Sequence, residues 1–178
     1  MAIERSGRRV SPGRITALIA SLLDASNLCA IATCRPRGGA YVNTAYFGWD
    51  SQFDLFWLSD PHAEHSRNLR AKPSAAIAVH DSTQSWGRSD RGIQLFGSAR
   101  EIRGSVARDA ERTYGARFPA YEPGELSGYR VYRFRPRRVK IFDEAALGGG
   151  VFVTATVRNG RVAWERTEVY RPGAARRT

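Results

Sequence analysis

Apolar residues recur along this chain with two different periods, and each change of period marks a new element. In "SPGRITALIASLLDASN", Ile15, Leu18, Ile19, Leu22 and Leu23 fall three and four apart, the spacing of one helix face. Ser11 followed by Pro12 predicts the start, with serine as cap and proline in the first turn, where its missing N–H is no loss. From residue 28 the pattern becomes short apolar runs separated by turn residues. "LCAIATC", "AYVNTAYFGW" and "FDLFWLS" predict three strands joined by "PRGG" and "DSQ". Asp60 and Pro61 then predict a second helix, running to about Ala71 and stopping before Pro73.

"SAAIAVHD" and "RGIQLFGSAREI" read as the next two strands, with the polar loop "STQSWGRSD" between them. "SVARDAERTYGARF" reads as a third helix, with Val106, Ala110 and Tyr114 roughly aligned. "GYRVYRFRPRRVKIFDE" alternates strongly and predicts a long strand bent at Pro136. "GGGVFVTATV" and "GRVAWERTEVY" predict a closing hairpin turned by "RNG". About eight strands and three helices, without regular βαβ alternation, predict a mostly antiparallel barrel, with ligand at its mouth or on its outer wall.

The 178 residues fit one domain, expected over residues 11–170, with basic tails at 1–10 and 171–178. The formal net charge of +11 favours anionic ligands. The basic residues form no long run or basic helix, so nucleic acid is not an expected partner. No apolar stretch approaches the roughly 20 residues of a membrane span, and no signal core follows the N-terminus, so a cytoplasmic protein is expected. Cys29 and Cys34 form neither a CxxC motif nor a zinc set.

The chemistry of the chain concentrates in "LSDPHAEHSRNL", residues 58–69. A helix start offers free backbone N–H groups to an anion, and Ser59 adds a hydroxyl. His65 falls one turn into the helix, with Arg67 and Arg70 near it. The alternative is that Asp60 caps the helix and the histidines are surface residues. His62 and His65, with Asp60 or His80, have spacing that can hold a metal, though no third ligand is evident. One histidine suffices for haem. Asn43 and Thr44 interrupt an apolar strand and either meet a flat heterocycle or form its solvent face. Trp86, with Gln84 and Arg88, either covers a ligand, packs on a partner subunit or anchors its loop. Arg91 either reaches an anionic cofactor or is a flanking surface charge. No G-x-S-x-G motif or nucleophile–base pair appears, so no catalytic residue is assigned.

Three strings, "ATCRPRGGAYVNTAYF", "LFWLSDPHAEHSRNLRAKPSAAIAV" and "RGIQLFGSARE", resemble the flavin-binding split β-barrel, the pyridoxamine 5′-phosphate oxidase-like family, over roughly residues 12–143. The "DPH…H" variant with "RGIQ" resembles a bacterial subgroup of it. The resemblance implies a mainly β (α+β) fold: a six-stranded antiparallel split β-barrel with flanking helices. It implies a homodimer with FMN in clefts between subunits, acting as an oxidoreductase on a small-molecule substrate. The ring would lie along "VNTAYF" and the phosphate near the turn after "WLS". The cofactor-binding positions so implied are Asn43, Thr44, Leu58, Ser59, His65, Ser66, Arg67 and Arg91.

The chain departs from the family pattern at several of these positions. Asn43 stands for a phosphate-side arginine, Leu58 and Ser59 for an aromatic–Thr pair, Glu64 for an arginine, His65 for a phosphate-pairing lysine, and Gly92 for a flavin-contacting glutamine. The substrate-binding arginine and histidine of true pyridoxamine phosphate oxidases have no counterpart here, so that activity is not expected. Relatives with deazaflavin or haem make a non-catalytic binding protein the alternative.

Overall fold

The computed structural model of the chain describes residues 2–80, 83–122, 124 and 126–171. Ser11 caps helix α1 (Pro12–Asp24), its hydroxyl accepting from the Arg14 N–H. The five apolar residues of the predicted face are all buried. Four strands follow: β2 (Leu28–Cys34), β3 (Ala40–Tyr46), β4 (Gly48–Trp49) and β5 (Leu55–Ser59). Helix α2 is Glu64–Ala71, β6 Ser74–His80, β7 Arg91–Glu101 and α3 Gly104–Arg117. The long β8 (Arg130–Asp143) leads through a short α4 (Glu144–Leu147) to the hairpin β9 (Val151–Arg158) and β10 (Arg161–Arg171). Asn159 and Gly160 turn that hairpin with φ of 49° and 73°, the left-handed pair a two-residue loop requires.

Six antiparallel strands make the barrel. β3 pairs β2, β2 pairs β6, β6 pairs β7, β7 pairs β8, and β8 pairs β5. β3 and β5 touch but share no ladder, and this is the split. The barrel is filled by Ile31, Phe47, Trp57, Ile77, Leu95, Tyr132 and Phe134. Helix α1 packs against β6, β7 and β10. β8 reaches two neighbours in turn: β5 along Arg130–Phe134, then β9 along Arg138–Phe142. It bends between them at Pro136, where the register with β7 slips. Gly97 sits opposite that bend, and a Cβ there would lie 2.1 Å from the Arg135 carbonyl oxygen. Only glycine lets the two backbones come so close.

Several boundaries differ from the sequence reading. Residues expected as a basic tail form strand β1 (Ala2–Ser6), which lengthens the sheet beyond β10 through the pairs Ile3↔Tyr170 and Arg5↔Glu168. The run of arginines reads as solvated chain, whereas the backbone ladder and the Arg171–Glu4 ion pair at 2.8 Å hold it. The expected strand "AYVNTAYFGW" breaks at Phe47, whose ring enters the core while its N–H bonds to the Asn27 carbonyl. β4 then pairs with β5. In α3 only Ala110 is buried; Val106 is exposed. Residues 172–178 of the expected C-terminal tail lie outside the described residues, while Arg171 closes β10.

Candidate functional site

β5 ends at Ser59, and the chain turns through Asp60–Ala63 before α2 begins at Glu64. Asp60 does not cap the helix. Its carboxylate accepts from the His62 N–H at 2.7 Å and its carbonyl from the Ala63 N–H at 3.1 Å, so it closes a separate turn. Proline at 61 and this self-capped turn delay the helix by three residues. The Ser66 hydroxyl donates to the Asp60 carbonyl at 2.8 Å and fastens the turn to the helix. Asn68 does the same for the barrel, its amide donating to Thr33 Oγ1 at 3.1 Å.

His65 points inward. It is 7% exposed, and its Nε2 shares a 2.7 Å hydrogen bond with the Ser59 hydroxyl. Its ring meets the Tyr132 ring edge-on at 6.4 Å. Burial holds the imidazole below its ordinary pKa, so at neutral pH it is a neutral hydrogen-bonding group and not a fixed cation. His65 therefore brings no fixed positive charge to the turn. His62, whose spacing to His65 could hold a metal, stays exposed on the turn. Among the described residues no three His, Cys, Asp or Glu side chains come together as a metal site.

Positive charge reaches the turn by other routes. Arg67 donates to the His62 carbonyl at 2.6 Å and Arg70 to the Pro61 carbonyl at 2.8 Å, so two guanidinium groups fold back around residues 61–62. Glu64 is not left facing the turn as a bare charge, because Arg35 pairs with it at 2.6 Å. Arg35 also lies 5.5 Å from the centre of the Tyr41 ring and donates to the Ala40 carbonyl at 3.1 Å. Sequence reading missed Arg35; it sits in the β2–β3 turn, 29 positions before Glu64, and no local pattern links them.

Asn43 lies on β3, against which α2 packs, on the same face as Ile31. Its amide donates weakly to the Thr44 carbonyl at 3.4 Å, while its Oδ1 is buried with no hydrogen-bond partner. A buried acceptor left open in this way suits a ligand donor such as a ribityl hydroxyl. Thr44 points to the opposite face beside Ala30. Leu58 is half-buried next to Ser59.

Arg91 does not join this group. It opens β7 at the end of the barrel away from α2, where Nη2 donates to Ser21 at 2.8 Å and Nε lies 3.4 Å from Asp143. At Gly92 a Cβ would lie 2.5 Å from the Phe142 ring, so the position is close-packed. Trp86 is fully exposed in its loop and touches none of the site residues.

The barrel, its split between β3 and β5, and the turn after β5 match one known architecture. The family model described as "Pyridoxamine 5′-phosphate oxidase" matches residues 15–143. The chain belongs to the pyridoxamine 5′-phosphate oxidase family. Solved structures of similar fold agree. A putative pyridoxamine 5′-phosphate oxidase from Listeria innocua is 12% identical, with 71% of this chain and 97% of that one covered at a TM-score of 0.58. A heme binding protein from Mycobacterium smegmatis is 18% identical, with 91% and 89% covered and a TM-score of 0.62. An F420 reductase is 23% identical, with 67% and 93% covered and a TM-score of 0.53. No curated protein matches the chain in sequence. Solved structures of similar fold thus carry names with different ligands, so the fold alone does not fix the ligand. No helix here is long and apolar enough to cross a membrane, among the described residues.

Proposed function

We propose that the protein binds FMN beside the α2 turn and acts as a flavin-dependent oxidoreductase on a small-molecule substrate. The observation that carries this is the open, buried Oδ1 of Asn43 on the strand that borders the turn. Ser59, the backbone of the 60–63 turn and the guanidinium groups of Arg67 and Arg70 would hold the phosphate. Asn43 would accept from the ribityl chain, and the apolar wall of β3 would face the ring. The flavin, when bound, supplies the redox chemistry. The chain's own residues orient it and exclude water, and His65 holds the Ser59 hydroxyl in place. A deazaflavin has a ring of the same three-ring shape and is the alternative occupant of the same place.

We also propose a homodimer formed on the outer face of β2, β3, β6 and β7. There Ala30, Ala32, Ala76 and Ala78 form a flat square, rimmed by Val42 at 60% exposure and Phe96 at 41%. A large apolar face left in water favours a protein partner.

Titration of the purified protein with FMN, followed by absorbance and flavin fluorescence, tests the cofactor. Saturable binding at one FMN per chain is expected, at least tenfold tighter than riboflavin because the phosphate is recognised. Absence of any spectral change with FMN or deazaflavin ends the proposal. One observation favours a second reading: the exposed His62 ring makes no hydrogen bond among the described residues, and a free imidazole can ligate haem. A Soret band on adding haem, lost in His62→Ala, would support it.

A further inference from the structure

β8 has a gap in its partners, and the gap is basic. β5 leaves it after Phe134, and β9 joins it only at Arg138. Arg135, Pro136 and Arg137 therefore have no neighbouring strand on that side. Arg137 also has no register partner in β7, because Pro136 pairs Gly97 and Arg138 pairs Phe96. It is the extra residue of the bulge, a device that re-aims a side chain. Beyond Thr156, β9 runs on through Val157 and Arg158 beside the gap. The hairpin tip closes the end: Gly160 packs so tightly that a Cβ would lie 3.0 Å from the Ser51 carbonyl. The result is a hollow of about 380 Å³ lined by Arg135, Arg137, Thr156, Arg158 and Asn159.

Its charge is unbalanced. Arg135 is paired at 3.1 Å with Asp54, which also lies 3.7 Å from Arg133. Among the described residues no carboxylate lies within ion-pair distance of Arg137 or Arg158. Arg158 moreover stands directly opposite Arg161 across the hairpin, on the same face. Like charges so placed destabilise a ladder, and an anion between the strands relieves them. Guanidinium groups match phosphate oxygens in pairs.

We propose that this hollow is an anion site for a phosphate group, separate from the α2 turn. It is large enough for phosphate and a few carbon atoms. The site does not rest on the flavin reading, because it uses none of the same residues.

Calorimetry of the cofactor-free full chain with inorganic phosphate, phenyl phosphate and phenol tests it. One saturable phosphate site per chain is expected beyond any that Ser59→Ala abolishes. Arg137→Gln and Arg158→Gln should each weaken it at least tenfold, while leaving FMN titration unchanged. Equal affinities for phosphate and phenyl phosphate assign the site to free phosphate; tighter phenyl phosphate assigns it to an ester; phenol should not bind. In the unaltered protein, phenyl phosphate protons should show nuclear Overhauser contacts to the Thr156 methyl group. The proposal is overturned if Ser59→Ala removes all phosphate binding, if both arginine variants bind as the original does, or if those contacts are absent at saturation.

Discussion

His65 shows how one buried side chain can carry both stability and recognition. Its pKa lies below the ordinary value, so the unfolded chain binds more protons than the folded one as pH falls below about 6.5. Stability is therefore full above that value and is lost as pH falls from there toward the lower folded pKa. Melting temperature measured across pH 7 to 5 should fall, and His65→Gln should flatten that slope while costing about 1–2 kcal/mol at pH 7 through the Ser59 hydroxyl left without its partner. An equal slope in the variant would place the acid sensitivity elsewhere. Asn43→Leu should leave the melt nearly unchanged, since it removes an acceptor that has no partner in the free protein. It should weaken FMN about tenfold in titration, the worth of one hydrogen bond of about 1.4 kcal/mol. The two thiols differ as sharply. Cys29 is buried, which pushes its pKa up to about 12, while Cys34 is exposed. A maleimide at pH 7 should label one thiol per folded chain and two in denaturant; labelling of both at once in the folded chain would contradict the burial of Cys29.

At the scale of elements, the bend in β8 is the feature on which the barrel depends. Gly97→Ala places a methyl group into the Arg135 carbonyl oxygen, and backbone on both sides prevents relief. Destabilisation above about 3 kcal/mol is expected in denaturant unfolding, enough to reduce soluble yield. A loss under about 1 kcal/mol would mean that the two strands can part without cost. The proline that marks this bend was readable in the sequence, as were the α1 face, the succession of the six barrel strands and the hairpin turn at Asn159 and Gly160. Each is a local pattern of period or turn chemistry. The bulge itself was not readable, because it depends on a register between strands some forty residues apart. The same limit applies to the site. "LSDPHAEHSRNL" marked the turn, and Ser59, His65 and Ser66 meet there. Arg91 was grouped with them by sign of charge alone, and the topology carries it to the other end of β7. Arg35 was missed because the β2–β3 turn meets α2 only in three dimensions.

For the whole molecule, the unbalanced fact is an alanine face with large apolar residues at its margins. Leu28, Val42, Tyr46 and Phe96 stay 41–60% exposed on one surface. Charge meets this face only along its β8 margin, where Arg138 stands opposite Phe96 and is paired with Glu165, and Lys140 is paired with Glu168. Small residues at Ala30, Ala32, Ala76 and Ala78 let a second backbone or a flat ring approach closely, which suits two copies meeting across a two-fold axis. A stable dimer must bury about 1,200–2,000 Å² in total, so the face has to meet its copy over most of its breadth. Light scattering on the eluting protein should therefore give twice the mass of the 19.8 kDa chain. Val42→Asp, at a position already exposed, should leave the monomer folded and shift it to a single chain mass, because a carboxylate buried without a partner costs several kcal/mol. If FMN lies between subunits, the same substitution should weaken FMN in parallel with the loss of dimer. A monomeric variant that binds FMN as well as the parent would place the whole cofactor site within one chain.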